Sequence, residues 1–344
     1  MPSANDAAIE VRDLRREFQT HIKQPGFAGA VRGLFKREYQ NKTAVADLNF
    51  SIQKGEFVGF LGPNGAGKTT TLKMLSGVLH PTSGEAHVLG YVPWKREAAF
   101  QKRFSLVLGQ KNQLWWDLPA YDSFDLNREI YDVPMADFKA KVEELGELLD
   151  ITKILHVPVR KLSLGERMKC ELAASLLHSP EVLFLDEPTI GLDLISQARV
   201  REFLREYNEK TGITVILTSH YMADISALCR RVIVINDGIA AFDGPLPELS
   251  ARFAKMRRVQ LTLDHAPTAE ERERAAQMGE NIEVEGMQLS LSVPRDDVPE
   301  NVNRLLAAFD VQDLAISEVE LETVIRDVFQ SSSNSEKSEA VTSP

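Results

Sequence analysis

An eight-residue segment combines glycines with a lysine and a threonine at a spacing suited to binding phosphate. Residues 62–69 read Gly-Pro-Asn-Gly-Ala-Gly-Lys-Thr and fit the pattern GxxxxGK[ST]. Glycines let backbone N–H groups turn around an anion, and the N-terminus of a following helix adds the positive end of its dipole. Lys68 would neutralise β/γ-phosphate charge, and the Thr69 hydroxyl would face Mg²⁺. The residues predicted to bind a nucleotide are Gly62, Pro63, Asn64, Gly65, Ala66, Gly67, Lys68, Thr69 and Thr70.

A second segment is an apolar run that ends in two carboxylates. Residues 182–187 read Val-Leu-Phe-Leu-Asp-Glu, as expected for a core strand whose charged tip emerges at the sheet edge where ligands bind. We predict that Asp186 holds Mg²⁺, usually through water, and that Glu187 acts as the general base toward an attacking water. The alternative is an acidic cap at a strand-to-turn junction.

The elements around these segments predict an α/β fold with a mainly parallel core sheet. An apolar run precedes the glycine-rich segment and a helical pattern follows it, the order of a strand, phosphate loop and helix. Residues 111–178 are mostly helical in pattern, which predicts a helical subdomain inserted into the sheet domain. The predicted strands are residues 8–18, 44–52, 57–61, 105–108, 182–185, 214–218 and 232–235.

The pattern changes after residue 245, which predicts a second domain over residues 246–330. A short helix at 248–256 is followed by strands and helices in the order β-α-β-β-α-β, a small α+β unit of the ferredoxin-like type. A helix over 319–329 closes it. The remaining residues, 331–344, have almost nothing apolar to bury, so we expect them to be disordered.

Composition excludes several classes of protein. The chain of 344 residues carries 40 Lys and Arg against 50 Asp and Glu, a net charge of −10 that repels phosphate backbones. We therefore expect no nucleic-acid partner. Cys170 and Cys229 lie far apart, which favours neither a disulfide framework nor a structural zinc site. Neither a signal peptide nor a spanning segment is apparent, so the chain is expected to be soluble and to dock at a membrane rather than cross it.

Four further segments carry a resemblance to a family. Residues 162–167, Leu-Ser-Leu-Gly-Glu-Arg, resemble the LSGGQ signature of ABC-type ATPases and lie upstream of the carboxylate strand, as in that family. Gln110 resembles the Q-loop glutamine, residues 191–193 the D-loop, and His220 the switch histidine. With the phosphate loop and the carboxylate strand these motifs occur in the family's order, and the resemblance covers roughly residues 8–244.

The resemblance implies an ATPase that uses ATP and Mg²⁺ and works as a pair. In the family, Ser163 and Gly165 of one subunit would face the γ-phosphate bound by the other, and Asp193 would link the two sites. A single chain holds one phosphate loop and one signature, so it must form a homodimer or pair with a close relative. His220 would bind the γ-phosphate. The predicted catalytic residues are Glu187, His220 and Lys68, and the predicted metal ligands are Thr69, Gln110 and Asp186.

Two details depart from the family pattern or leave alternatives open. Leu164 stands where the family has glycine, and its bulk bears on how closely the backbone approaches phosphate. The family stacks adenine on an aromatic residue near the end of the first strand. Phe18 is the predicted platform, with Tyr39 as the alternative, and Phe18 could instead be an ordinary core aromatic.

Within the family, the chain most resembles ATP-binding subunits of ABC-2-type exporters, including daunorubicin-exporter ATPases. The resemblance rests on the aromatic-rich segment after Gln110, the LSLGER signature and the residues 322–329, Glu-Thr-Val-Ile-Arg-Asp-Val-Phe. It implies export through a separate ABC-2-type transmembrane permease, with peripheral attachment at the cytoplasmic face of the cell membrane. An importer subunit and a soluble ATPase acting without a permease are the alternatives.

Three segments remain open between two interpretations. Trp115 and Trp116 either form a socket for a permease or fill the core of the helical subdomain. Residues 21–42 form a basic insertion with apolar residues at helical spacing, which either touches anionic lipid or the permease, or lies on the domain as a loop. The C-terminal domain is either regulatory or a dimerisation element. The charges of the insertion, net +4, are Lys23, Arg32, Lys36, Arg37 and Lys42 against Glu38.

Overall fold

The computed structural model describes residues 7–21, 39–109, 111–253 and 256–318. The chain divides into two compact units, residues 1–244 and 245–344. Several predicted features lie outside the described residues: Gln110, nearly all of the basic insertion, the closing helix at 319–329 and the tail at 331–344. No helix in the described ranges is both long enough and apolar enough to span a membrane.

The strands of the described chain form three sheets. They are β1 (Ala7–His21), β2 (Tyr39–Gln53), β3 (Phe57–Leu61), β4 (Ser83–Val88), β5 (Phe104–Leu108), β6 (Val182–Asp186), β7 (Thr214–Thr218), β8 (Arg231–Asn236), β9 (Ile239–Pro245), β10 (Met256–Leu263), β11 (Glu280–Glu285), β12 (Gln288–Pro294) and β13 (Val311–Glu318).

The helices connect and cover these strands. They are α1 (Lys68–Leu75), α2 (Ala98–Gln101), α3 (Ala120–Ile130), α4 (Met135–Leu148), α5 (Leu164–Leu176), α6 (Leu194–Thr211), α7 (Met222–Leu228), α8 (Leu246–Phe253), α9 (Ala269–Ala276) and α10 (Val298–Ala308). Short 3₁₀ turns lie at Pro93–Lys95, Val159–Lys161 and Arg295–Asp297.

The predicted parallel core sheet is confirmed. Its order is β5-β6-β7-β3-β8-β9, and the pairs from β5 to β8 are parallel. Every residue of β3 and β7 is buried, as expected for central strands covered on both faces. The carboxyl ends of β3, β6 and β7 lie side by side in this order, so the residues that follow them meet at one sheet edge.

A second sheet, antiparallel and of order β2-β1-β4, was not predicted as a separate sheet. The predicted strands at 8–18 and 44–52 are its longer members, and β4 was missed because only Ala86 and Val88 of its six residues are buried. Leu14 and Leu48 of this sheet share one buried cluster with Phe60 of β3. The antiparallel sheet is thereby packed onto the element that carries the phosphate loop.

The predicted limits of the basic insertion, 21–42, were too wide. β1 continues to His21 and β2 begins at Tyr39, so the residues between the two strands are 22–38. Lys42 lies within β2, opposite Phe18 of β1. Strand pairing therefore takes in residues that looked like the flanks of a loop.

The C-terminal unit confirms the predicted β-α-β-β-α-β order. Its sheet has the order β11-β12-β10-β13 with antiparallel pairs throughout. Val259, Leu261 and Leu263 alternate into a core shared with Leu289 and Leu305. The predicted helix at 248–256 was wrong at its end: α8 stops at residue 253, and Met256 already pairs with Pro294 as the start of β10.

Candidate nucleotide site

The glycine-rich segment forms a loop between β3 and α1, and its glycines are required for different reasons. At Gly62 a Cβ would collide with the carbonyl oxygen of Ile235, and at Gly67, where φ is +107°, it would collide with that of Ala44. Gly65 has φ of +86°, and a Cβ there would have no atom within 4 Å. The loop is thus packed closely at Gly62 and Gly67 and open at Gly65, which suits a loop that binds an anion.

A hairpin turn on the neighbouring strands holds this loop in place. The N–H of Gly238, between β8 and β9, donates to the carbonyl of Ala66 at 3.2 Å, and its own carbonyl accepts from Ala46 at 2.8 Å. Asp237 and Gly238 both have positive φ, as in a type I′ hairpin. The turn therefore ties the phosphate loop to β2.

Lys68 lies at the N-terminus of α1 and is buried. Its Nζ donates to the carbonyls of Gly62 at 2.6 Å and Pro63 at 3.0 Å. Burial lowers the pKa of this ammonium, and the nearby charges of Glu187 and Asp186 oppose that shift. The buried ammonium is thus held at the phosphate loop beside two carboxylates, and an incoming anion would favour its charged form.

The next residue of the loop is joined to the carboxylate strand. Oγ1 of Thr69 donates to Asp186, with distances of 2.8 and 3.1 Å to its two oxygens, and Oγ1 of Thr218 donates to the same carboxylate at 2.7 Å. A hydroxyl and a carboxylate oxygen in contact are hard oxygen donors of the kind that Mg²⁺ prefers. Thr69 and Asp186 therefore fit the predicted metal site.

Glu187 is fixed by its backbone and by His220. It has φ of +56°, and its N–H donates to the carbonyl and hydroxyl oxygens of Thr218 at 3.1 and 3.0 Å. Nε2 of His220 lies 2.6 Å from Oε1 of Glu187, while Oε2 is buried without a hydrogen-bond partner. One carboxylate oxygen is thus anchored and the other is free to accept a proton.

A buried aspartate that was missed by sequence reasoning supports this pair. Asp224 of α7 is fully buried and accepts hydrogen bonds from Ser219 at 2.7 Å, from Arg201 at 2.8 Å and from the hydroxyl of Thr189. Ser219 precedes His220 in the chain, and Thr189 follows Glu187 by two residues. An acidic residue in the first turn of a helix usually indicates a solvent-facing charge near the helix dipole, so nothing local marked Asp224 as buried.

Ser163, Gly165 and Asp193 form a second group at adjacent helix ends. Ser163 caps α5 in a capping box with Glu166, and Asp193 caps α6 by accepting from the N–H and Oγ of Ser196 at 2.9 and 2.7 Å. These bonds, led by the Ser196 hydroxyl, lower the pKa of Asp193. A Cβ at Gly165 would meet Oγ of Ser196 at 2.5 Å, so the two helix ends are in close contact.

This second group does not join the first. Within the ranges that the structure describes, no hydrogen bond links Ser163 or Asp193 to the phosphate loop. Around them Leu164 is exposed, and Leu194 and Ile195 are 81% and 71% exposed. A turn such as that at Ser163, with exposed apolar side chains around it, is typical of a surface that meets another protein.

The remaining predicted residues lie near the site or outside the description. Phe18 is partly exposed rather than in the core, and the guanidinium carbon of Arg16 lies 4.6 Å from its ring centroid. It lies opposite Lys42 on β2. Lys42 precedes by two residues Ala44, whose carbonyl oxygen leaves no room for a Cβ at Gly67 of the loop. The interpretation of Phe18 as a core aromatic is therefore wrong. The Tyr39 side chain lies outside the described residues, as does Gln110.

The two tryptophans do not fill the helical subdomain, so that interpretation was also wrong. Trp115 is 58% exposed and Trp116 is 46% exposed. The guanidinium carbon of Arg167, on α5, lies 5.7 Å from the Trp116 ring centroid, within the range of a cation–π contact. Trp116 therefore contacts α5 through Arg167, and the exposed part of its ring is accessible to a partner.

Helix α5 also carries a buried carboxylate, one oxygen of which has no hydrogen-bond partner. Glu171 is buried, its Oε1 has no hydrogen-bond partner, and Nε of Arg167 is 3.8 Å away. The charge of Arg167 and the backbone of Gln113 favour the ionised form of this carboxyl group. Burial is the main cause that raises the pKa of Glu171 from 4.5 to about 7.

We expect Glu171→Gln to stabilise the cassette more at pH 8 than at pH 4.5. Because the folded-state pKa is raised, ionisation disfavours the folded state, so wild-type stability falls as pH rises from about 4.5 through about 7. The full difference corresponds to about 3 kcal/mol, and glutamine removes it. Denaturant unfolding at both pH values measures the effect, with the exposed Glu202→Gln as control. An equal gain at both pH values would show that Glu171 ionises normally.

A P-loop ATPase core with an inserted helical segment and a small α+β unit is the class that this fold and site define. Two family models match the chain: ABC transporter over residues 45–190, and EvrA-like ABC transporter, C-terminal domain, over residues 255–317. The chain is 36% identical over 228 residues to the linearmycin resistance ATP-binding protein LnrL of Bacillus subtilis (strain 168), covering 66% of this chain and 73% of that one. It is 34% identical over 217 residues to the ABC transporter ATP-binding protein NatA of the same organism, covering 62% and 88%.

Solved structures share the fold. The dimeric post-hydrolysis state of the ATP-binding cassette MJ0796, bound to ADP and Pi, superposes with a TM-score of 0.58 at 21% identity, covering 69% of this chain and 98% of that one. The chain belongs to the family of ABC transporter ATP-binding proteins, and it is an ATPase of that family.

Proposed function

We propose that two copies of this chain, or one copy and a close relative, enclose two ATP molecules and that hydrolysis powers export through a separate ABC-2-type permease. One observation carries the hydrolytic part. Lys68, Thr69, Asp186, Glu187 and His220 come from three separate chain segments, and contacts of 2.6–3.1 Å join Thr69 to Asp186 and Glu187 to His220. A glycine-rich turn with only a structural role would not require these side chains to converge.

The residues suggest a division of labour in hydrolysis. The loop N–H groups and Lys68 would bind the β- and γ-phosphates. Glu187 would take a proton from water on Oε2 as the water oxygen attacks the γ-phosphorus, and the bond from that phosphorus to ADP breaks. His220 would orient the carboxylate and the γ-phosphate. Mg²⁺, held by Thr69 and Asp186 and by the predicted ligand Gln110, would neutralise charge on the phosphate oxygens when bound.

The second group of residues supports the pairing of two chains. Ser163 and Asp193 are exposed, and no described hydrogen bond joins them to the phosphate loop of their own chain. A second copy would bring a signature to each nucleotide. The exposed side chains of Leu164, Leu194 and Ile195 supply apolar area for that contact. MJ0796 is described as dimeric in its nucleotide-bound state, which supports the same arrangement here.

Export is supported by a relative and by the exposed tryptophans. LnrL is named for resistance to linearmycin, and resistance to a compound is the expected result of removing it from the cell. Trp115 and Trp116 present two indoles on the segment that follows the predicted Q-loop residue, and aromatic anchors of this kind are enriched in protein interfaces. We place the chain at the cytoplasmic face of the membrane, attached through the permease.

The Trp115→Ala/Trp116→Ala double variant is expected to keep the ATPase activity of the isolated subunit and to lose its binding to the permease. One tryptophan anchor contributes about 2 kcal/mol, equal to about 30-fold in affinity, so loss of both should weaken binding by more than about 30-fold. Co-purification with the proposed permease subunit measures the loss of binding. Met287→Ala, an exposed apolar residue in the other unit, is the control. Undiminished co-purification of the double variant would reject the hypothesis that Trp115 and Trp116 bind the permease.

Reconstitution tests the direction of transport. The chain and its membrane subunit in liposomes, with the cassette outside, should accumulate linearmycin in the lumen when ATP is supplied. ATP-driven loss of a preloaded compound from the lumen would instead indicate import. ATPase activity that no membrane subunit changes would favour a soluble ATPase.

A further inference from the structure

The two edges of the C-terminal sheet differ in length and charge. β11, at one edge, has six residues, a register irregularity between Glu280 and Glu283, and a third carboxylate at Glu285. β13, at the other edge of the described sheet, has eight residues. Its acidic residues are two, Asp313 and the terminal Glu318, against three in the shorter β11.

Native sheets avoid unwanted pairing by making edge strands short, irregular or charged. β11 has all three protections. β13 has an irregularity at its start, opposite Leu263, and then pairs regularly with β10 up to its end. Among the strands that the structure describes, β11 is thus protected against pairing at its outer edge, whereas β13 pairs with β10 alone.

β13 also leaves part of the apolar face uncovered. Leu314 lies opposite Leu261, and Ile316 lies opposite Val259, so both point to the face that holds the core of this unit. Ile316 is nevertheless 48% exposed. An additional strand beside β13 would extend the sheet and cover this side chain.

We propose that β13 pairs antiparallel with β13 of a second copy of the chain. Directly opposed residues must share a sheet face, so the two-fold axis must pass through a residue. An axis at Ala315 places Asp313 opposite Ser317 and Leu314 opposite Ile316. The two Asp313 carboxylates are then kept apart, and apolar residues meet on the core face. The strand is self-complementary in this register.

This dimer does not depend on nucleotide, and it goes beyond the proposed function. A pair of chains joined at β13 would carry both cassettes at a high effective concentration, in the millimolar range for short connections. Closure around ATP would then be an event within one assembly rather than a collision of two separate chains.

Sedimentation of the full-length, nucleotide-free protein tests the pairing. We expect a dimer at about 10 μM, and we expect Ile316→Lys to weaken the dimer by more than tenfold because it places a lysine opposite Leu314. Met287→Lys, at an exposed position in the β11–β12 turn, should leave the dimer unchanged. A monomeric wild-type chain overturns the proposal in favour of another occupant of this edge, and a dimer insensitive to Ile316→Lys overturns it as well.

Cysteine cross-linking provides a test that does not require the lysine variant to fold. Ala315→Cys should give a covalent dimer under mild oxidation or with a short bis-maleimide, because the two Cβ atoms face each other at about 5 Å. Gln312→Cys is the matched control, since its two copies would be six residues apart, about 20 Å. The native Cys170 and Cys229 are buried. Equal cross-linking at 312 and 315, or none at 315, rejects the register.

Discussion

Glu187→Gln is expected to slow ATP turnover by about 10²–10⁴-fold and to leave ATP binding intact. That range is the usual contribution of a general base. Glutamine keeps the shape of the side chain and can still meet His220, which lies 2.6 Å from Oε1 in the wild type. It removes the proton acceptor at Oε2, the buried oxygen that has no partner. Steady-state phosphate release and ATP titration measure the two effects separately.

The same variant tests the pairing of chains. With ATP bound and not hydrolysed, the two cassettes should remain closed, and sedimentation should show a nucleotide-dependent change in the assembly. Glu206→Gln, exposed on α6, is the control for loss of one carboxylate. ATPase within threefold of the wild type would remove Glu187 from its role. If chains carrying Glu187→Gln never close around ATP, even with the permease present, the proposed dimer that encloses two ATP molecules is wrong.

Lys68→Ala is expected to weaken ATP binding by about 100-fold or more. With ATP bound, the ammonium would make charge-assisted hydrogen bonds to phosphate, together contributing about 3 kcal/mol. In the structure this side chain is buried and donates to the carbonyls of Gly62 and Pro63. The loop at 62–69 contains no other lysine or arginine that could replace it. Calorimetric titration with ATP and Mg²⁺ measures the loss.

Lys73→Ala on the same helix is the matched control, because it removes one cation from α1 without touching the loop. Its ATP affinity should stay within about twofold of the wild type. Lys68→Ala also leaves two loop carbonyls without a donor, so thermal unfolding should accompany the titration. An unchanged ATP affinity in a folded Lys68→Ala protein would show that the loop binds phosphate through its backbone alone.

The parts of the site that are contiguous in the chain were predictable from sequence. The loop at 62–69 and the carboxylate strand at 182–187 place their groups through local geometry: a strand ends, a turn of required backbone shape follows, and a helix begins. The C-terminal order of strands and helices was predictable for a similar reason, because Val259, Leu261 and Leu263 alternate with polar residues at the period of a strand.

Where elements end depended on pairing with distant strands. Met256 looked like the end of a helix, but it lies opposite Pro294 and begins β10. β4 has too few apolar residues to be recognised, and it exists because β1 provides a partner along its length. In each case hydrogen bonds to another segment decided the conformation, and a local pattern contains no information about them.

The sequence by itself determined the chemistry: a phosphate loop with its lysine and threonine, a strand ending in Asp186 and Glu187, and a histidine after β7. Tertiary structure alone decided that Asp224 is buried as the anchor of Ser219 and Thr189, that Trp115 and Trp116 face outward, and that Glu171 lies without a full partner. The physical reason is that chemistry follows from side-chain type and local backbone, whereas burial and exposure depend on which segments, far apart in the chain, cover one another.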